Sequence, residues 1–342
     1  MLRDGRLPGR VARAFTLQWH LTNRCEASCR HCYDRTQIAE LPLDAAIRVL
    51  DGLVAFCRLR RVRGQVCLTG GNPFLSPSFR EVYRATAARG FPVSILGNPV
   101  PEAWLRPVLD IVPPVSYQVS LEGLEATNDA IRGEGHFART LEFLVLLRRL
   151  GVRSHVMLTL HRSNLDEVLP LAERLRGVSD RFTFNRLAPV GAGVGLPLPT
   201  REEYERFLRE WAAAARTNRH LGRKENLLGL VRCEGARPSR GCTGHGCGAA
   251  FNFVAVLPDG EVHACRKLPS PIGHLSRQSL ADVWASPEAR RYREGSRACR
   301  WCGLRSTCGG CLAVAHGVGL SPLEDRDPHC FAPPRRFLPV VS

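Results

Sequence analysis

Three cysteines, Cys25, Cys29 and Cys32, follow an apolar stretch over Phe15–Thr22 and are separated by three and then two residues. Thiolates at this spacing can ligate three corners of a cubane iron–sulfur cluster, whereas ferredoxin-type clusters take four cysteines. No fourth cysteine lies nearby, so one iron would stay open for a small ligand, and an open iron permits chemistry. The alternative is a structural zinc site with His31 as the fourth ligand. Adjacent residues such as His31 and Cys32 rarely reach one tetrahedral metal ion together.

A second group of cysteines lies in the last third of the chain, where glycines are many and long apolar runs are few. Such a segment needs cross-links, and metal clusters are the obvious ones. Eight cysteines suffice for two complete four-cysteine clusters; they are Cys242, Cys247, Cys265, Cys299, Cys302, Cys308, Cys311 and Cys330. A pair of zinc ribbons is the alternative. Of the cysteines left over, Cys57 and Cys67 are predicted to be buried small hydrophobic residues, and Cys233 could be reactive.

Further candidates lie where predicted strands end. Gly70-Gly71-Asn72-Pro73 directly follows the second strand, and glycines there let the backbone approach a ligand closely. Ser120 and Glu122 end the fourth strand, and alternation directs both side chains to the same side. Arg132 offers a charge-assisted partner for a carboxylate, and residues 185–186 end the sixth strand. The alternatives are an ordinary turn, a strand terminus and a surface arginine.

The elements that must position these residues alternate regularly from residue 15 to about residue 190. Apolar runs predict strands over Phe15–Thr22, Gln65–Thr69, Val93–Leu96, Tyr117–Leu121, Ser154–Leu160 and Arg181–Leu187. Amphipathic stretches between them predict helices over Leu43–Arg60, Ser78–Arg89, Ala103–Ile111, Phe137–Leu150 and Asp166–Arg176. This alternation predicts an α/β fold with a parallel sheet and right-handed crossovers. In parallel barrels the chemistry lies at the carboxyl ends of the strands.

These motifs resemble the radical S-adenosylmethionine (SAM) family, whose fold is a partial, open (β/α)6 barrel. The resemblance implies that Cys25, Cys29 and Cys32 hold a catalytic [4Fe-4S] cluster, whose open iron is chelated by the amine and carboxylate of SAM. It also implies that the cluster and SAM generate a 5′-deoxyadenosyl radical, which abstracts a hydrogen from an unactivated C–H bond of the substrate.

The same resemblance implies roles for the other motifs. Gly70, Gly71, Asn72 and Pro73 resemble the family's Gly-Gly-Glu-Pro motif, whose backbone lies against the methionine amine of SAM. Asn72 replaces the usual glutamate, so amine binding would be weaker or depend more on main-chain carbonyls. Restoring glutamate at position 72 would keep or improve SAM affinity. Ser120-Leu-Glu122-Gly resembles the Ser-Leu-Asp-Gly run of peptide-modifying members, which implies a SAM contact from Ser120 and a catalytic carboxylate near the substrate from Glu122. Arg132 would bind the SAM carboxylate.

The C-terminal cysteines resemble the SPASM domain of radical SAM maturases, although the Cys308–Cys311 interval holds two residues where three are common. The resemblance implies two auxiliary [4Fe-4S] clusters with interlaced ligands. Cys242, Cys247, Cys265 and Cys311 would hold the first cluster, and Cys299, Cys302, Cys308 and Cys330 the second. The implied domains are an extension over 1–14, the barrel over 15–199, a linking helix over 200–229 that begins with a Thr200–Glu203 capping box, and the SPASM domain over 230–335.

The implied function is the modification of a ribosomally made, cysteine-rich precursor peptide by a radical SAM oxidoreductase. A flavodoxin-like or ferredoxin-like protein would donate electrons, and leader recognition would fall to a separate protein, because fourteen N-terminal residues cannot hold a leader-binding domain. Two alternatives stay open. One is a porphyrin- or haem-tailoring enzyme of the same family, and the other is a multi-cluster electron-transfer protein without SAM turnover.

The composition of the chain indicates which partners and which cellular compartment to expect. The formal net charge is +16, but only Lys224 and Lys267 are lysines, an arginine skew that GC-rich codon usage would produce. The arginines are scattered, which favours a solvated basic surface over a nucleic-acid site. No run of apolar residues is long enough to span a membrane, and the N-terminus lacks the apolar core of a signal peptide. We therefore expect a cytoplasmic protein, with no nucleic-acid or membrane partner, whose cysteines bind metal instead of forming disulfides.

Overall fold

The computed structural model describes residues 12–231 and 242–332. Its first six strands alternate with helices along the chain, as the sequence predicts. The strands are β1 (Ala14–Thr22), β2 (Arg63–Gly70), β3 (Val93–Leu96), β4 (Ser116–Ser120), β5 (Ser154–Leu160) and β6 (Arg181–Arg186). Each pairs with the next in parallel, so neighbours in sequence are neighbours in the sheet. The predicted α/β fold with a six-stranded parallel barrel is confirmed.

Seven helices accompany these strands. They are α1 (Leu43–Arg60), α2 (Phe79–Ala88), α3 (Glu102–Leu109), α4 (Glu125–Arg132), α5 (His136–Arg149), α6 (Val168–Arg174) and α7 (Arg201–Thr217). Five agree with the predicted helices to within two residues at each end. One of these five, α6, is preceded by a 3-10 helix over Arg162–Glu167. The capping box of α7 is present, since Thr200 and Glu203 each accept the other's backbone N–H. Helix α4 was not predicted, although it carries Arg132.

The last third of the chain joins the same sheet. It contains β7 (Phe253–Val256), β8 (Glu261–His263) and β9 (Pro271–His274), followed by α8 (Leu280–Ala285), α9 (Pro287–Glu294) and α10 (Leu312–Gly317). Strand β7 pairs in parallel with β1, and β8 and β9 add antiparallel, so the order is β6-β5-β4-β3-β2-β1-β7-β8-β9. Strand β1 therefore lies inside the sheet, between β2 and β7.

The two faces of the barrel strands differ in polarity. On the outer face, Phe15, Leu17 and Trp19 of β1 are almost fully buried, and the Phe15 ring lies 4.5 Å from that of Phe56 on α1. Most of the alternate residues on the inner face are polar or small and remain at least partly exposed, although Met157 and Thr183 there are buried. The exposed ones include Thr16, Gln18, Gln65, Cys67, Ser94, Gln118, Ser120, His155, Thr159 and Asn185. An interior filled with branched apolar side chains, as in a closed barrel, is absent from this described part, and a polar surface remains there for a ligand.

Two of the leftover cysteines lie on opposite faces. Cys57 is buried on α1, as predicted. Cys67 lies on the inner face of β2 and is only partly buried, so it does not belong to the apolar core. Cys233 falls outside the described residues. No helix in the described ranges is both long and apolar enough to cross a membrane.

Candidate active site

The cysteine triad lies on the loop that leaves the carboxyl end of β1. Burial raises the pKa of the Cys29 thiol; the Arg132 guanidinium opposes that shift, and the thiols of Cys25 and Cys32 add to it. The three sulfurs are therefore close enough to interact electrostatically. The structure brings together at one strand end the three ligands that the sequence predicts.

Gly70 and Gly71 hold this loop in place. The N–H of Gly71 donates to the carbonyl of Thr22 at 2.8 Å, and the N–H of Asn72 donates to the carbonyl of Arg24 at 2.8 Å. A Cβ atom at Gly71 would lie 2.1 Å from the Arg24 carbonyl oxygen, and one at Gly70 would lie 2.0 Å from that of Thr22. The close approach that these glycines allow is thus made by the segment leading into the triad.

Asn72 is buried, and its side chain binds Glu26, the residue after Cys25. The Asn72 Nδ2 donates to the two carboxylate oxygens at 3.0 and 3.2 Å. Asn98, which follows β3, donates to the same carboxylate at 2.9 Å, and its Nδ2 lies 3.4 Å from the Cys25 sulfur. Sequence reasoning missed Glu26 and Asn98. The position of Asn98 just beyond a strand end was the signal that could have found it.

Glu122 does not present a free carboxylate to the barrel mouth, contrary to the expectation. It is fully buried, and one oxygen accepts from Arg132 at 2.6 and 2.8 Å and lies 3.0 Å from the His31 Nε2. Its other oxygen accepts the Thr159 N–H at 2.6 Å. Burial alone would raise the pKa of Glu122, but His31, Arg132 and these hydrogen bonds hold it well below its ordinary value. Glu122 is therefore a positioning residue for Arg132 and His31.

Arg132 lies beside the triad. Its Nε and Nη2 are held by Glu122, which leaves Nη1 directed at the Cys29 sulfur at 3.7 Å. The backbone reinforces this contact, because the N–H of Arg30 donates to the carbonyl of Ile131 at 2.9 Å. The unpredicted helix α4 thus carries its last residue to the cysteine loop.

Ser120 and Pro73 also lie at the carboxyl ends of the strands. Ser120 is the last residue of β4, on the partly exposed inner face and opposite Met157 of β5. Pro73 is buried and begins a 3-10 turn whose first amide, that of Phe74, is capped by the side chain of Asn72. His161 follows β5, is buried, and lies close enough to Glu122 and His31 to respond to their charges. It is a further residue that sequence reasoning missed.

The C-terminal cysteines fall into two groups. Burial raises the pKa of Cys247 and of Cys265, and each is raised further by Cys311 and Cys242. Cys299 responds to Cys330 and Cys302, and a cavity is lined by Cys299, Cys302, Cys308 and Cys330. The structure thus brings near one another the two sets of four cysteines that the resemblance implies, and their role as cluster ligands stays a prediction. Within residues 12–231 and 242–332, no three His, Cys, Asp or Glu side chains form a site for a single metal ion.

Two contacts connect these groups to the barrel. Arg266, next to Cys265, forms an ion pair with Asp34 and lies over the Tyr33 ring, 5.2 Å from its centroid. Tyr33 follows Cys32, and burial raises its pKa to about 12, with contributions from both Cys32 and Cys265. The triad and the first C-terminal group are thus joined through one aromatic side chain.

The second contact is a buried ion-pair network at the end of β6. Arg186 donates to both oxygens of Asp327 at 2.7 Å and to Glu225 at 3.1 Å. Asp327 in turn accepts the N–H of Cys311 at 2.7 Å. Arg186 was a strand-end candidate for contacting a bound ligand, but its guanidinium is engaged by these carboxylates. It joins the barrel to the cysteine-rich segment.

The donor sets fit the groups that the sequence implied. Three thiols meet on one loop, a buried arginine faces one of them, and glycine backbone holds the loop where a Cβ atom would collide. The two sets of C-terminal cysteines described above supply further thiols. Such an arrangement can hold one iron–sulfur cluster with an open iron and further clusters with cysteine ligands.

Comparison with known proteins decides the family. The family model described as the Radical SAM superfamily matches residues 19–175. The mycofactocin maturase MftC of Mycobacterium ulcerans is 30% identical over 332 residues, which cover 92% of this chain and 87% of that protein. The chain belongs to the radical SAM superfamily. This radical SAM protein is also similar to the AdoMet-dependent heme synthase of Methanosarcina barkeri, at 27% identity over 93% of this chain and 96% of the relative.

A second family model, the SPASM iron–sulfur cluster-binding domain, matches residues 247–309. Among solved structures, Streptococcus suis SuiB bound to the precursor peptide SuiA superposes with a TM-score of 0.70 at 16% identity, covering 94% of this chain and 77% of that one. The predicted radical SAM fold with a SPASM domain is confirmed. The chain is thus a radical SAM enzyme that uses iron–sulfur clusters and SAM.

Proposed function

We propose that this radical SAM enzyme modifies a ribosomally made, cysteine-rich precursor peptide. The observation that carries the proposal is the polar, partly exposed inner face of β1–β6, which reaches from the triad toward Cys265. A surface of this kind can take an extended peptide segment. The similarity to MftC, which is a maturase, supports the proposal. The SuiB structure contains a bound precursor peptide, but at 16% identity it supports only the fold.

In this proposal the residues at the strand ends have separate tasks. Cys25, Cys29 and Cys32 would hold the cluster that, with SAM bound, would supply radical chemistry for abstracting hydrogen from a substrate C–H bond. Gly70, Gly71, Asn72 and Pro73 shape the SAM site around the triad, and Ser120 contributes a hydroxyl. Arg132 binds the SAM carboxylate through Nη1, the nitrogen that Glu122 does not use.

We further propose that the SPASM segment holds two auxiliary [4Fe-4S] clusters, divided between the two cysteine groups described above. Four thiolates complete each cluster, so the auxiliary clusters would bind a substrate sulfur only by ligand exchange, or would accept the electron left after bond formation. The domain bounds of the sequence prediction, with the SPASM domain over 230–335, are kept in this proposal.

The proposed setting is the cytoplasm, with a flavodoxin-like or ferredoxin-like electron donor and a separate leader-binding protein. An acidic redox partner suits the net charge of +16. The proposal includes no nucleic-acid or membrane partner.

A tetrapyrrole substrate is the second candidate, and the similarity to the heme synthase over 93% of the chain favours it. The third, an electron carrier without SAM turnover, does not account for a triad that lacks a fourth cysteine or for the glycine contacts that hold it.

The deciding experiment uses the anaerobically reconstituted enzyme with SAM and dithionite. Intact protein should bind about 12 irons and form 5′-deoxyadenosine, and Cys29→Ala should abolish that product. Cys57→Ala is the matched control, because Cys57 is buried on α1 away from the triad. Stoichiometric zinc, or about 4 irons in the intact protein, would contradict the two auxiliary clusters.

Substrate identity needs a second measurement. Deuterium from a labelled peptide, encoded in a neighbouring reading frame, should appear in the 5′-deoxyadenosine. Cys265→Ala or Cys302→Ala should block peptide modification more severely than uncoupled 5′-deoxyadenosine formation. Transfer of deuterium from a labelled porphyrin instead would establish the tetrapyrrole alternative.

A further inference from the structure

The two lysines of the chain lie together at the inner face of the barrel. Among 48 basic residues they are the only lysines, and they come from different segments, Lys224 after α7 and Lys267 after β8. The charge of Lys267 acts on Lys224, as does that of Arg181 at the start of β6. Lys224 is thus near enough to both Lys267 and Arg181 for their positive charges to act on its own.

The direction of the lysine side chains follows from their neighbours. The Lys224 ammonium influences Cys67 on β2 and His155 on β5, and both of these residues belong to the partly exposed inner face. The Lys267 Nζ lies 3.5 Å from the carbonyl oxygen of Arg186, at the carboxyl end of β6. The lysines therefore reach into the barrel from the side of the SPASM segment.

These charges lack carboxylate partners in the described part of the chain. Neither Lys224 nor Lys267 forms an ion pair there. The acidic side chains near the triad already have other partners: Glu122 pairs with Arg132, Asp34 pairs with Arg266, and Glu26 accepts from Asn72 and Asn98. Half-buried ammonium groups without a counter-charge are costly unless a ligand supplies one. A lysine also acts as a compact point charge that one carboxylate oxygen can meet.

We propose that Lys224 and Lys267 form a binding site for a carboxylate group of the substrate. This inference rests on the proposed function, because it assumes that the substrate enters the barrel. The carboxylate would come from an acidic side chain or C-terminus of a peptide, or from a propionate of a tetrapyrrole. Arg181 adds attraction at the start of β6.

The test measures equilibrium dissociation constants by anaerobic dialysis with the cluster-loaded enzyme. One probe is the peptide encoded in a neighbouring reading frame, compared with versions whose Asp and Glu are changed to Asn and Gln. The other probe is coproporphyrin III, compared with its tetra-amide. The protein variants are Lys224→Gln and Lys267→Gln, with Lys267→Arg as the charge-preserving version. Arg297→Gln, on an exposed side chain of the SPASM segment, is the control.

Each lysine-to-glutamine change should weaken binding of a carboxylate probe by about tenfold or more, and binding of the neutral version by less than about twofold. Lys267→Arg should retain most of the affinity, and Arg297→Gln all of it. Loss with the peptide alone identifies a peptide carboxylate, and loss with coproporphyrin III alone identifies a propionate. The second result supports the lysine site while it overturns the peptide as substrate.

An alternative role for the two lysines predicts a different result in this experiment. Lys224 lies near Cys242, and Lys267 near Cys265, so the lysines could instead balance the charge of the auxiliary cluster. In that case the variants would shift the cluster's midpoint potential, followed by electron paramagnetic resonance, and would leave both dissociation constants unchanged. Equal weakening of acidic and neutral probes would also overturn the proposal. Iron content and circular dichroism of each variant show whether it is folded.

Discussion

At the scale of single residues, the pair Asn72 and Glu26 changes how the glycine-rich loop is understood. The sequence shows an asparagine where the family has a glutamate, which suggests a missing carboxylate. In the structure a carboxylate is present at the same place, supplied by Glu26 and bound by Asn72 and Asn98. The negative charge therefore lies on the loop after β1, which carries the triad, instead of on the Gly70–Pro73 loop after β2.

This contact reverses the expectation for Asn72→Glu. A glutamate at position 72 would face the Glu26 carboxylate across a former hydrogen bond, and like charges so close repel each other. We expect the single variant to weaken SAM binding by about tenfold, the equivalent of about 1.4 kcal/mol. SAM affinity is measured by equilibrium dialysis on protein with a full complement of iron.

The double variant Asn72→Glu/Glu26→Gln is the control for this prediction. It restores one carboxylate and one amide at the contact with the positions exchanged, so affinity should return to within about threefold of the original, because coupling of neighbouring residues is what a double-mutant cycle measures. Unchanged affinity in the single variant would show that Glu26 and Asn72 are not coupled.

At the scale of elements, the site depends on how loops at the strand ends pack against one another. The loop after β2 supports the loop after β1, and α4 contacts it from the other side. The position of the triad therefore depends on contacts among all three of these segments. The cysteine positions follow from the sequence, but their spacing in the structure depends on contacts between loops distant in the chain.

Gly71→Ala tests this packing. A Cβ atom there would lie 2.1 Å from the backbone oxygen of Arg24, so the cysteine loop must move. We expect the variant to lose the triad cluster and to bind about 8 irons instead of about 12, with no 5′-deoxyadenosine formed. Iron analysis and Mössbauer spectroscopy measure the loss.

Gly52→Ala is the matched control, because nothing lies within 4 Å of a Cβ atom at Gly52 in α1. Alanine should there stabilise the helix by up to about 1 kcal/mol and leave the iron content unchanged. A full complement of iron in Gly71→Ala would mean that the loop tolerates displacement.

The sequence predicts the strands and most helices well, because their apolar patterns repeat over many residues. It does not predict α4, whose eight residues include mostly polar side chains and no long apolar face. It also misses the position of β7, since four residues of strand give no sign of which distant edge they will join. Glu26 could not be found for a related reason, as its partners Asn72 and Asn98 come from other loops.

At the scale of the whole molecule, the barrel and the SPASM segment are joined in two ways. Strand β7 continues the barrel sheet beside β1, and the buried Arg186 network joins the end of β6 to Asp327 near the last cysteines. Both connections cross the domain boundary predicted from the sequence. The two cluster regions are therefore held in one arrangement by the backbone of the sheet and by paired charges.

Arg186→Met should disturb the second connection. Removing the guanidinium takes from Asp327 the cation that it binds in a buried site, which typically costs about 3–5 kcal/mol. Asp327 would also hold the N–H of Cys311 less firmly, so we expect auxiliary iron to be lost before triad iron during chelation. Arg209→Gln, at an exposed ion pair on α7, should change the free energy of unfolding by less than about 1 kcal/mol.

The pairing of β1 with β7 makes the barrel sheet depend on the SPASM segment. Residues Thr16–Trp19 of β1 pair with Phe253–Val256 of β7, and Val254 and Val256 are fully buried. A fragment of residues 12–231 would lack β7, so its β1 would become a sheet edge with unpaired backbone groups and uncovered apolar side chains. Exposed edges of this kind pair with other chains.

We expect the fragment to associate into large oligomers, as measured by size-exclusion chromatography with light scattering. The control is the full chain with Cys299→Ala/Cys302→Ala, which should stay monodisperse because it keeps β7. A monomeric fragment that binds about 4 irons and SAM as tightly as the intact chain would show that β7 is dispensable for the barrel.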